Sequence, residues 1–168
     1  MTRLGRPMLL AALSLVLLPA AAFARDLRHP ASGEPAFTIT VPDDWTAVTI
    51  DGGKSLGITS ADRRMAFVLT VATTDQSPEE IAKSAVAANK GTQLETKPTS
   101  ISGLAGRTYS WTYTNTGGIK LHTAMTLIQL DGKWLVSCTK LEVDGNSPAD
   151  RQLADTTMQS VKLMKGAK

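Results

Sequence analysis

A single cysteine, Cys138, stands in this chain of 168 residues. No disulfide can form within it, so in an oxidising compartment the fold must rest on its hydrophobic core alone. Cys138 lies in an apolar stretch and reads as a small buried hydrophobe rather than a reactive thiol. Histidine is almost as scarce, with only His29 and His122. Two histidines and one cysteine, far apart in sequence, do not supply the clustered ligands of zinc or copper sites. Neither a metal nor a cofactor is expected. Aromatic residues make up 5% of the chain. A stacking platform for sugars or bases would have to rest on Trp45, Tyr109, Trp111, Tyr113 and Trp134, and at strand spacing such side chains are mostly core.

Charge is balanced and scattered. The chain holds 18 Lys+Arg against 15 Asp+Glu, and Arg63-Arg64 is the only adjacent basic pair. The basic stripe that neutralises phosphates is missing, which argues against nucleic-acid binding. Lys162, Lys165 and Lys168 read as a solvated basic tail.

Catalytic motifs fail on position. Gly53-Lys54-Ser55 looks like the end of a phosphate-binding loop, but the motif's first glycine would fall on Val48 and a hairpin follows where a helix is required. Ser137-Cys138-Thr139-Lys140 fits S-x-x-K, yet sits mid-strand without its partner motifs, and no G-x-S-x-G occurs. Asp43-Asp44 lacks a calcium-loop pattern and reads as a turn. A pair of carboxylates distant in sequence but close in space stays open as a catalytic possibility.

The amino-terminal residues have an export pattern. Arg3 and Arg6 form a positive region, Met8 to Leu18 is an apolar run, Pro19 breaks it, and Ala22-Phe23-Ala24 is an A-x-A cleavage site. The run is well short of the roughly 20 residues that span a bilayer. A signal peptide is therefore expected over 1–24, cleaved after Ala24, which places the protein in the periplasm or outside the cell with no later transmembrane segment. Losing Arg3 and Arg6 from the 18 basic residues leaves 16 against 15 acidic ones, a net charge of +1.

Residues 25–36, with Pro30, Ser32, Gly33 and Pro35, read as a flexible leader carrying a solvated His29. Residues 37–168 read as one domain. Phe37 to Val41 alternates apolar residues with threonine. A strand from Trp45 to Ile50 follows the Pro42-Asp43-Asp44 turn, and Asp51-Gly52-Gly53 joins it to one near Leu56–Thr59. Met65 to Ala72 is apolar almost throughout, which predicts a central strand covered on both faces. Ser77-Pro78-Glu79-Glu80 is a helix start with a capping box, the alanine-rich stripe Ile81–Ala88 predicts a helix lying close on a sheet, and Gly91 ends it.

Strands are expected again at about Thr99–Ile101, Arg107–Thr114, Ile119–Gln129 and Lys133–Val143, with turns at Asn115–Gly118 and Asp131-Gly132. A last helix starts at Ser147 and carries the stripe Leu153, Thr157, Val161 and Met164. Short hairpins and two separated amphipathic helices predict α+β: an antiparallel sheet with helices packed on its faces.

Phe37-Thr38-Ile39-Thr40-Val41-Pro42 followed by Trp45 resembles the opening of PsbP-like and DcrB-like domains. So do the central helix at Ser77–Lys90, Ile101-Ser102-Gly103-Leu104-Ala105-Gly106 entering a strand, and a closing helix ending in Ser160-Val161-Lys162. The resemblance spans residues 37 to about 164 and implies an α/β/α sandwich. It also implies a non-catalytic role, as exported or lumenal accessory proteins attached to larger complexes or the membrane. The lipid-anchor cysteine of such proteins is missing here. Every matched residue is a turn, core or cap element, so the resemblance carries over no functional residue.

The expectation is an exported, non-enzymatic binding or accessory protein whose partner is another envelope protein or complex. The oligomeric state is not legible. Two alternatives are a small-molecule or lipid carrier, with its pocket between the sheet and the helix Ile81–Ala88, and a carboxylate-based enzyme. If the conspicuous side chains form a binding surface, it comprises Tyr109, Trp111, Tyr113 and His122.

Overall fold

The computed structural model describes residues 24–30, 36–130 and 133–164. Ten strands and two α-helices are built from them: β1 (Ala24–His29), β2 (Phe37–Pro42), β3 (Thr46–Ile50), β4 (Ser55–Thr59), β5 (Met65–Thr73), α1 (Pro78–Ala88), β6 (Thr92–Ile101), β7 (Leu104–Thr114), β8 (Lys120–Gln129), β9 (Trp134–Val143), α2 (Pro148–Gln159) and β10 (Lys162–Leu163). Seven strands form an antiparallel sheet in the order β3-β4-β5-β9-β8-β7-β6. A smaller sheet, β1-β2-β10, packs on one face of it together with α2. The opposite face carries α1.

The alternation in β2 drives the main core. Phe37, Ile39 and Val41 are fully buried against Ile58, Phe67, Leu69, Val136 and Cys138 of the large sheet and Ala154 of α2. Trp45 closes one end, stacked on Phe67 at 5.6 Å between ring centroids. Cys138 is wholly buried, and burial pushes its thiol pKa up to about 12. The second core is thinner. Ala82 lets α1 lie flat on Tyr109, Trp111, Leu127 and Leu135, as an alanine-faced helix should. Both helices start as their sequences dictate: the Ser77 hydroxyl accepts from the Glu80 amide while Glu80 accepts from the Ser77 amide, and Ser147 accepts from the Asp150 amide.

Four expectations need correction. The first is the flexible leader, because residues 24–29 form β1, paired from Ala24↔Pro42 to His29↔Phe37. Polar composition hid this edge strand. Its anchors are the Arg25 guanidinium, which donates to the Asp43 and Trp45 carbonyls at 2.9 and 2.6 Å, and Asp26, which accepts from Thr40 Oγ1 at 2.6 Å. His29 is not solvated but buried, stacked on Phe37 at 5.3 Å. Residues 31–35 of that leader and residues 1–23 of the expected signal peptide lie outside the described residues.

Second, α2 stops at Gln159. The Ser160 hydroxyl accepts from the Thr40 amide and donates to the Thr40 carbonyl, at 2.9 and 3.1 Å, which turns the chain onto β2. Val161 fills the core beyond the helix, and β10 pairs with β2 through Lys162↔Thr38 and Leu163↔Phe37. Third, β6 runs ten residues rather than three. It is exposed over most of its length and held by pairing with β7, so no hydrophobic alternation marks it. Fourth, β5 is buried on one face only; Ala66, Val68 and Thr70 on the α1 side are half-exposed, because α1 packs on β7 and β8. The Asn115–Gly118 turn forms as expected, with the Asn115 carboxamide accepting from the Gly117 and Ile119 amides; Asp131-Gly132 lies outside the described residues.

Candidate functional site

Directly opposed residues of an antiparallel pair share a face, so the strand register sorts the candidate side chains. Tyr109, Trp111 and Tyr113 of β7 oppose Met125, Thr123 and Leu121 of β8 and point to the α1 side. Tyr109 and Trp111 are buried under α1, and Tyr113 packs at their margin. His122 opposes Thr112 and therefore points the other way. The four residues expected to form one binding surface are thus placed on two faces, with Tyr109, Trp111 and Tyr113 packed on the α1 side.

On the face of His122, two cross-strand rows run side by side: Thr112–His122–Glu142 and Ser110–Ala124–Lys140. With Gln93 and Glu95 at the β6 edge they line an open trough of about 320 Å³. Sheet width produces it. The core under α2 and the small sheet ends at Ile128, Val136 and Cys138, and beyond that cover the same face of β7–β9 turns polar. Along β8 this face passes from buried Ile128 through Thr126 and Ala124 to His122.

Two of the trough's charges are paired with α2. Arg151 Nε donates to Glu142 Oε1 at 2.5 Å, and Lys140 Nζ to Asp155 Oδ1 at 2.7 Å. At the end of the trough His122 Nε2 lies 2.8 Å from Asp144 Oδ1, and Lys120 Nζ lies 3.7 Å from the other Asp144 oxygen. The His122 hydrogen bond holds the Asp144 carboxyl below the usual aspartate value against desolvation, with a lesser contribution from the Lys120 charge. Glu142 is 7% exposed; a charge so deeply set holds its geometry only while Arg151 stays, since breaking such a pair strands a buried charge. The trough therefore presents paired charges beside the hydroxyls of Ser110 and Thr112.

Thr112 opposes His122, but its hydroxyl pairs with Thr92 at 3.3 Å rather than with the imidazole. The carboxyls whose pKa is displaced, Asp62, Glu79, Glu80 and Asp144, are all displaced downward, the opposite of what a general acid requires. Ser137 and Lys140 of the S-x-x-K match sit on opposite faces of β9, since Ser137 opposes Leu127 and Lys140 opposes Ala124. Among the described residues no cluster of three or more His, Cys, Asp or Glu could hold a metal, and no helix is long and apolar enough to cross a membrane. The trough and two smaller cavities, one beside Asp62 and one beside Ser102, have no residue of α1 in their lining. Lys140 and Glu142 escaped the sequence reading. Their signal was two charges at strand spacing inside the apolar run Trp134–Val143.

No family model matches the chain, and no curated protein matches its sequence. Solved structures do match. Over 92% of this chain and 99% of the other, it superposes on cyanobacterial PsbP (CyanoP) from Synechocystis with a TM-score of 0.62 at 12% identity. The fold is PsbP-like. LpqN of Mycobacterium tuberculosis, involved in cell envelope biogenesis, is similar over 84% of this chain and 91% of its own, with a TM-score of 0.54 at 16% identity. The Saccharomyces cerevisiae Ran-binding protein Mog1p is similar over 85% and 96%, with a TM-score of 0.56 at 13% identity. The chain also spans 47% of a longer Bacteroides thetaiotaomicron protein. Three differently described proteins on one fold leave function to be argued from the site.

Proposed function

We propose that this protein is an exported, non-enzymatic accessory protein of the cell envelope that binds a protein partner through the β6–β9 trough. The observation that carries this reading is the pairing of the trough's charges. Arg151–Glu142, Lys140–Asp155 and His122–Asp144 are fixed in position before any ligand arrives, which lowers the ordering cost of recognition and supplies no nucleophile–base couple. The export reading rests on the A-x-A site at Ala22–Ala24. Two fold neighbours carry descriptions in the same direction: LpqN takes part in envelope biogenesis and Mog1p binds a protein.

The test is affinity capture from envelope extract with wild-type protein and a Lys120→Glu/His122→Ala variant, followed by mass spectrometry. One protein captured at near-stoichiometric yield by wild type, and lost with the variant while its melting temperature holds, supports the proposal. Equal capture by both moves the partner elsewhere. Turnover of a substrate would replace binding with catalysis.

A further inference from the structure

Among the described residues four strands stand at sheet edges, and they are not equally protected. β1 carries Arg25, Asp26 and Arg28, β6 carries Glu95, Lys97 and Pro98, and β10 is only two residues long with Lys162 in it. Charges, proline and shortness are the devices that keep strand edges from pairing with other chains. β3 has none of them. Thr46-Ala47-Val48-Thr49-Ile50 is uncharged, borders the large sheet, and leaves Val48 52% exposed. The face it belongs to is equally bare. Thr46, Val48 and Ile50 continue through Gly57, Val68, Thr139 and Leu141, and no α1-side position of β3, β4, β5, β8 or β9 is charged.

We infer that β3 is a self-association edge, on which a second copy of this chain pairs its own β3 antiparallel about a two-fold axis at Val48. The segment is self-complementary in that register: Thr46 meets Ile50, Ala47 meets Thr49, and Val48 meets Val48, with no like charges opposed. The same register brings the Asp43-Asp44 turn of one copy beside residues 52–54 of the other. There Lys54 offers a cation, and among the described residues the side chains of Asp43, Asp44 and Lys54 make no ion pair within their own chain. An isologous contact of this kind closes on itself and gives a dimer with one continuous sheet. Five paired residues bury far less than the ~800 Å² per partner of a stable interface, so the dimer is weak and forms at about 100 μM or above.

Sedimentation velocity of the protein, purified as the cell processes it, tests this over about 10 μM to 1 mM, a range that brackets weak association. Wild type should shift toward dimer, and amide exchange at residues 46–50 should slow with concentration. Val48→Lys adds the protection the other edges have at an exposed site and should weaken association by about tenfold or more. Asp44→Lys should weaken it too, and Asp44→Lys/Lys54→Glu should restore it. A wild type that stays monomeric to about 1 mM overturns the inference, given how little an edge ladder needs. So does a dimer indifferent to Val48→Lys, or a monomer whose β3 is protected only by a strand from another protein.

Discussion

Replacing Trp111 tests whether the aromatic strand is packing or binding surface. The indole is 3% exposed beneath α1, among Ala82, Tyr109, Leu127 and Leu135. The chain after α1 closes tightly over it: a Cβ at Gly91 would fall 2.5 Å from Trp111 Cδ1. Truncation to alanine removes roughly 150–250 Å² of buried surface, worth about 4–6 kcal/mol at ~25 cal/mol per Å² as an upper estimate. One effect works in the opposite direction. Among the described residues the buried indole N–H has no hydrogen-bond partner, nor has the Thr123 hydroxyl of the residue opposite it. Deleting an orphaned buried donor recovers about 1–3 kcal/mol. Trp111→Ala should therefore cost about 3 kcal/mol, or roughly 10 °C in melting temperature for a domain of this size. Trp111→Phe keeps most of the packing and loses only the orphan, so it should stay within about 1 kcal/mol of wild type. Thermal and urea melts of both variants read this directly. If Trp111→Phe falls as far as Trp111→Ala, the N–H has a partner that matters and the packing argument fails. If Trp111→Ala melts like wild type but loses its envelope partner, the strand is a binding surface after all.

Other outcomes follow from the same geometry. A Cβ at Gly106 would meet the Leu127 carbonyl oxygen at 2.5 Å and Ile128 Cγ1 at 2.7 Å; because the first obstacle is backbone, Gly106→Ala should cost about 1–3 kcal/mol or more, and an unchanged melt would contradict the β7–β8 packing. Asp62 is held low first by the Ser60 hydroxyl, Glu79 by Lys83, Glu80 by the Ser77 amide and Asp144 by His122. Carboxyls with lowered folded pKa take up more protons when unfolded, so their stabilisation is present above the ordinary values of 3.8 and 4.5 and is lost as pH falls through the folded values. Melting temperature should hold from pH 8 to 5 and drop below about pH 4, and a maximum below pH 4 would reverse the sign. Cys138 should resist thiol reagents until the protein unfolds, and reductant should leave the monomer's melt unchanged; rapid labelling of folded protein would show the site is open. Protein from the periplasmic fraction should begin at Arg25 by N-terminal sequencing, and an intact Met1 in the membrane fraction would defeat the export reading.

Where side chains alternate or cap, the fold could be read before it was seen. β2 and β7 alternate strictly, Ser77 and Ser147 announce their helices, and the alanine stripe Ile81–Ala88 foretells how closely α1 lies. What escaped was stabilised by backbone and long-range contacts. β1 is polar and anchored by Arg25 reaching residues 18 and 20 positions away, β6 is exposed over most of its length, and β10 exists because Ser160 meets Thr40 at a separation of 120 residues. No local pattern encodes such partners. The site was half legible for the same reason. His122 stood out by rarity, but its true neighbours are Thr112 and Glu142, set by register across three strands, while its sequence-level companions on β7 point the other way.

Site-specific photo-cross-linking tests the central claim most directly. A cross-linking residue at Ala124, on the trough floor, is compared in the envelope with one at Val68, half-exposed on the opposite face. A trough that binds a protein predicts one discrete adduct from position 124, lost in Lys120→Glu/His122→Ala, and no such adduct from position 68. An adduct from Val68 with none from Ala124 would contradict it and put the partner on the other face of the sheet.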